Sequence, residues 1–182
     1  MVCFLIPVVL AVVAGLLAWA VWYQGNRMPL GLTVARCVEL RQPPQAVWDV
    51  VRDFASVPTW NFLVVGVERL SDRNGHEVWQ EKNTGGPALQ LEVVEDAPPT
   101  RLVRSIVSTN ASFTGRWEFA IAPADAGTRV TIVEHSEIPN PYFRFIFRTF
   151  MNPAVHLENY LRALAKKFGE PETPVREPAH HG

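Results

Sequence analysis

The sequence predicts an α+β fold: a curved antiparallel sheet of about seven strands wrapped around one long C-terminal helix, plus an N-terminal transmembrane helix. Three observations predict it. Strand-like runs follow one another with only short turn segments between them. Near the end, apolar residues step by four and three along one continuous stripe. The first 26 residues carry no charged side chain, whereas the 17 basic and 18 acidic residues all lie between Arg27 and Glu177.

The apolar head, Val2 to Tyr23, is interrupted only by Pro7 and Gly15. At about 1.5 Å per residue, a helix of this length spans the ~30 Å hydrocarbon core of a bilayer. Trp19, Trp22 and Tyr23 cluster at its end, where aromatic rings favour the headgroup zone. A cleaved signal peptide is the rival reading, and Ala18-Trp19-Ala20 resembles a cleavage site. It fits less well, because no basic residue precedes the core and the core exceeds the ~7–15 residues such peptides use. The expectation is therefore a single-pass anchor through residues 2–23. Arg27, Arg36 and Arg41 follow it, which places the globular part in the cytoplasm.

Residues 27–33 read as a linker and 34–168 as one domain, which at about 135 residues can bury a full core. Val34–Leu40 alternates as a strand and is stopped by Pro43-Pro44. Ala46–Val51 is a short helix with Val47, Val50 and Val51 on one side. Asp53 or Ser56 caps a second short helix ending near Pro58. Strands are expected at Leu63–Leu70, His76–Asn83, Leu89–Glu95, Arg101–Ser108, Phe113–Ala122 and Thr128–Ile138, with separators such as Asp72–Gly75 and Thr109-Asn110. Short separators make neighbours pair antiparallel. Phe143, Phe147, Phe150, Ala154, Leu157, Leu161, Leu164 and Phe168 then form the helical stripe. Pro153 kinks or splits it near Asn152. Residues 169–182 are Pro-rich and polar and read as a disordered tail, with His180-His181 inside it.

Composition narrows the function. A net charge of −1 with three lysines lacks the basic stripe that nucleic-acid binding needs. Cys3 and Cys37 make neither a disulfide framework nor a four-ligand zinc site. No phosphate-binding glycine loop and no nucleophile-elbow serine is present, and no cofactor is expected. Asn110-Ala111-Ser112 matches a glycosylation sequon of the kind that arises by chance.

Ala46-Val-Trp-Asp-Val-Val-Arg-Asp-Phe54 with Pro58-Thr-Trp-Asn61 resembles the entry helices of the SRPBCC superfamily. That superfamily includes polyketide cyclase/dehydrase-like, birch-pollen-allergen-like and StAR-related lipid-transfer proteins. Gly115-Arg-Trp-Glu-Phe119 and Gly127-Thr-Arg-Val-Thr-Ile132 are similar to its last two strands. Asn140-Pro-Tyr-Phe-Arg-Phe145 with Tyr160-Leu-Arg-Ala-Leu164 resembles the closing helix of a membrane-tethered bacterial branch, which implies a bacterial inner membrane. The resemblance implies a helix-grip fold with an interior cavity for a lipid, a polyketide-like or an aromatic compound.

Candidate residues follow from pattern. Trp60, Trp79, Trp117, Phe119, Phe147, Phe150, Leu157 and Leu161 are the candidate ligand-binding residues, with core packing as the competing role and Trp48 a further aromatic of the same kind. Trp60, after Pro58 in a loop, suits a lid or a membrane contact. Glu134 follows Val130 and Ile132 in alternation and so faces the cavity, where a carboxylate can act as acid or base. Its competing role is a rim ion pair with Arg116 or Arg104. Glu81 carries the same two readings. Glu134, His135, Glu137 and His156 do not make a metal site, because Glu134 and His135 leave a strand on opposite faces. The expected function is membrane-anchored binding of a hydrophobic small molecule. The alternatives are a cyclase/dehydratase-type enzyme and an interaction protein with a filled core.

Overall fold

The computed structural model describes residues 2–108 and 113–178, with side chains from Ile6 onward. The Thr109-Asn110 turn, the sequon and His180-His181 lie outside them. Helix α1 runs from Val2 to Arg27. Strand β1, Gly31–Leu40, is followed by helix α2, Pro44–Arg52, and a 3-10 turn over Phe54–Thr59. The strands β2 (Val64–Arg69), β3 (Val78–Asn83), β4 (Leu89–Ala97), β5 (Arg101–Ile106), β6 (Thr114–Ala124) and β7 (Gly127–Glu137) come next. Helices α3, Pro141–Phe150, and α4, Val155–Lys167, complete the chain.

One sheet holds all seven strands in the order β1-β7-β6-β5-β4-β3-β2, every pair antiparallel. Short separators force β2 to β7 to pair in succession, and β1 closes the row against β7. At the β6–β7 hairpin Gly127 has φ +145°, and a Cβ there would stand 2.2 Å from the Leu40 carbonyl oxygen. Only glycine allows that turn to press on the end of β1.

The sheet's inner face, α2 and α4 share a packed core at one end. Val38, Leu40, Val47, Trp48, Val51, Phe54, Leu102, Ile121, Val130, Leu161 and Leu164 form it. The Asp53 carboxylate accepts the Ser56 amide, starting the 3-10 turn as its capping chemistry predicts. Arg36 of β1 holds α4 through Glu158 at 3.0 Å.

Of the two outcomes expected at Pro153, the helix splits, into helices of 10 and 13 residues: Pro153 removes an amide donor and crowds the carbonyl four residues back, so the chain breaks over 151–154. Two expectations change. The strand β1 begins at Gly31, inside the expected linker, because it pairs with β7 along its whole length. The described part of the tail does not hang free. Cys37 and Arg176 exchange backbone hydrogen bonds of 2.8 and 2.9 Å, and the buried Glu170 carboxylate accepts the Arg41 amide at 3.1 Å. Backbone and carboxylate partners outweigh what the composition of this segment suggests.

Among the described residues one helix, within Ile6–Arg27, is long and apolar enough to cross a membrane, a property that signal sequences share, and none of that window is buried. Its last turns rest on α3.

Candidate functional site

The sheet register assembles a row of chemistry on the inner face. Arg104 of β5 stands opposite Trp117 of β6, and Trp117 opposite Glu134 of β7. Directly opposed residues share a face, so the three lie side by side. Alternation along β7 places Val130, Ile132, Glu134 and Ser136 inward, and all four are buried. Glu81 of β3 joins the row through an ion pair with Arg104. Phe143 and Phe147 of α3 face it from above, together with His156, Leu157 and Tyr160 from the first turns of α4. A cavity of about 320 Å³ lies between them, beside the packed core and under α3. Its remaining walls are mainly apolar, with Val57, Leu63, Val64, Leu89, Phe113, Phe119, Ile132 and Ile138.

Among the described residues, its polar groups are few and incompletely paired. Glu134 Oε2 lies 2.5 Å from His156 Nε2, off the line of a hydrogen bond, and neither atom has another partner. The Arg104 guanidinium pairs with Glu81 and sits 4.3 Å over the Phe54 ring, and its Nε is unpartnered. Trp117 Nε1 has no acceptor. Tyr160 packs edge-on against Trp60 and Phe119 at 5.3 and 5.6 Å. Burial pushes its hydroxyl well above the ordinary tyrosine value. Arg104 opposes that rise and Glu81 adds to it. The phenol therefore stays neutral and remains a donor at any physiological pH. Buried polar atoms without partners cost free energy unless a ligand or water meets them. Two donors, Trp117 and Tyr160, beside a carboxylate suit a carbonyl or hydroxyl on an otherwise apolar molecule. A carboxylate in contact with an imidazole is also a pair that can move a proton.

Among the residues singled out from sequence, Trp117, Phe119, Phe147 and Leu157 line the cavity, as do Glu134 and Glu81. Trp60, Trp79, Phe150 and Leu161 do not. Trp60 is no free lid: its ring is half-buried on Tyr160, and the exposed aromatic of that loop is Phe62, at 73%. Trp79 meets Phe54 edge-on and donates to Glu77 at 3.1 Å. Leu161 and Trp48 belong to the packed core. Phe150, the last residue of α3, is 74% exposed. The partner of Glu134 is His156 rather than an arginine. His135 points to the other face, where its ring meets Thr33 at 3.2 Å and Glu118 at 3.3 Å. Tyr160, Ser136, Asn61 and Phe113 were not foreseen in the site. Tyr160 follows His156 by four residues on one helix face, a spacing visible in the sequence once His156 is placed.

Residues 32–169 match the family model described as polyketide cyclase / dehydrase and lipid transport. No curated protein sequence matches the chain. Among solved structures, a START superfamily protein from Mycobacterium smegmatis superposes with a TM-score of 0.60 at 19% identity, covering 74% of this chain and 95% of that one. An aromatase/cyclase, ZhuI, from Streptomyces sp. R1128 superposes with a TM-score of 0.59 at 15% identity, covering 75% and 93%. These likenesses show the fold.

Proposed function

The chain belongs to the polyketide cyclase/dehydrase and lipid transport family, and from that premise we propose that it binds one small hydrophobic molecule beneath α3 while α1 holds it to a membrane. The observation that carries the reading is the cavity itself. Apolar walls enclose about 320 Å³, at the small end of the ~300–1,000 Å³ typical of ligand sites. That size favours a ring system or a single acyl chain over a two-chain lipid. The proposed ligand carries a carbonyl or hydroxyl that meets Trp117, Tyr160 and the Glu134–His156 pair. Trp117, Phe119, Phe147 and Leu157 are the proposed binding residues. In this reading the globular part lies on the cytoplasmic side of a bacterial inner membrane, which the arginines after α1 support.

Native mass spectrometry of the full chain in detergent, followed by organic extraction, tests this. A reproducible hydrophobic adduct in one-to-one ratio is expected. A clean apo mass, with no rise in Tm from a panel of fatty acids and polycyclic aromatics, counts against binding.

A second reading rests on one specific observation, the contact between Glu134 and His156 in the cavity wall. In it the pair acts as general acid/base in a cyclase/dehydratase-type reaction. Glu81 is a weaker candidate for that role, since Arg104 neutralises it. Turnover of a poly-β-keto model compound that Glu134→Gln abolishes, with binding retained, supports this reading. Binding without turnover leaves the first.

A further inference from the structure

The family match begins at residue 32, so α1 lies outside the matched span, whereas α3, on which it rests, lies within it. That seat is built closely. Gly25 presses on the start of α3, where a Cβ would stand 2.0 Å from the Pro141 carbonyl oxygen. The Arg144 guanidinium is buried at 3% exposure, and no carboxylate pairs with it among the described residues. Instead Nε donates to the Gly25 carbonyl at 2.8 Å, and Nη1 donates to the Ile138 and Pro139 carbonyls at 2.5 and 3.1 Å. The Gly25 carbonyl sits at the negative end of α1, where a cation is favoured.

This contact fixes depth. Gly25 follows the aromatic end of α1, Trp22 and Tyr23, by two to three residues, or about 3–5 Å of helix rise. If α1 spans a bilayer, α3 starts at its boundary.

Helix α3 is apolar on two sides. Phe143 and Phe147 wall the cavity. On the neighbouring face Tyr142, Ile146 and Phe150 form an i, i+4, i+8 row exposed at 43%, 47% and 74%, continued by Met151 at 49%. The charged residues of α3 are Arg144 and Arg148, and it contains no acid. Continuous exposed apolar rows mark interaction surfaces. An apolar row free of acids, set beside an apolar span, matches the interface of a bilayer.

We propose that α3 is an interfacial membrane helix: Tyr142, Ile146, Phe150 and Met151 insert among the lipid headgroups, and α3 is the single wall between bilayer and cavity. The inference rests on the reading of α1 as an anchor. A hydrophobic ligand then passes between bilayer and cavity by displacing α3, without crossing water.

Site-directed nitroxide labelling of the full chain in phosphatidylcholine/phosphatidylglycerol vesicles tests it, with Cys3→Ala and Cys37→Ala as background. Labels go singly on Val12→Cys, Ile146→Cys, Phe150→Cys and, at the far hairpin, Arg73→Cys. The expected result is a ratio of oxygen to aqueous nickel-chelate collisions several-fold higher at 12, 146 and 150 than at 73. Labels at 146 and 150 as water-accessible as at 73, with 12 in lipid, overturn the inference and leave the anchor standing. Shielding of 146 and 150 from both reagents overturns it in favour of a protein partner. A water-accessible label at 12 defeats the anchor reading and this inference with it.

Discussion

At the residue scale, the cavity wall sets two carboxylates in contrasting surroundings. Glu81 is paired with Arg104, and both are buried. Arg104→Met should therefore cost about 3–5 kcal/mol, because it strands a buried charge. The double variant Arg104→Met with Glu81→Leu should recover most of that loss. Urea denaturation of both variants checks this. Glu134 has only an imidazole for company, and His156 is partly open to solvent. Glu134→Gln should shift stability by less than about 1 kcal/mol while ligand binding or turnover is lost. Equal losses in stability and binding would make Glu134 a packing residue. Glu134 was readable from sequence because strand alternation is strict: two steps from Ile132 is the same face. His156 was not, because its place depends on how α4 crosses the sheet, which local spacing does not encode.

At the scale of elements, the informative unit is the joint between α1 and α3. Gly25→Val should unseat it, since no side chain fits against Pro141. Faster amide hydrogen exchange over residues 138–148 is the expected readout. Arg144→Met removes three charge-assisted donors at once and should cost about 3 kcal/mol in denaturant titration of the detergent-solubilised chain. Strand order and the 3-10 cap were legible because turn residues and alternation are local signals. The two-helix ending was legible only in part. Pro153 marks the break, but the seat of α3, which precedes it, is held by Arg144 reaching Gly25, a contact 119 positions apart that local spacing does not encode.

At the scale of the whole molecule, ion pairs tie the sheet to its helices and set the response to acid. The hydrogen bond from Arg36 holds the Glu158 carboxyl below its ordinary 4.5, against burial, which works to raise it, and Arg162 adds to the lowering. Burial would raise Glu118, but hydrogen bonds from Arg101 and Arg116 outweigh it and the net shift is downward. A carboxylate with a lowered folded pKa stabilises fully above about pH 4.5 and loses that contribution as the pH falls through the lowered value. Stability should therefore be flat near neutrality and drop below pH 4.5, more steeply in the wild type than in Glu158→Gln; Tm across pH 3–7 checks this. The fold was legible because it repeats simple periods along the chain. The site was less so, because a cavity is what packing leaves out. The last feature with consequences is the tail lying on β1. A ten-residue outermost strand offers its free N–H and C=O groups as a template for any passing chain. The tail occupies that template at Cys37, and its prolines, Pro171, Pro174 and Pro178, have no N–H with which to extend the pairing. It ends the sheet without inviting another strand. Removing everything after Phe168 should leave the cavity intact and yet turn a well-behaved protein into one that stacks through its bare margin, seen as time-dependent growth in light scattering and thioflavin binding.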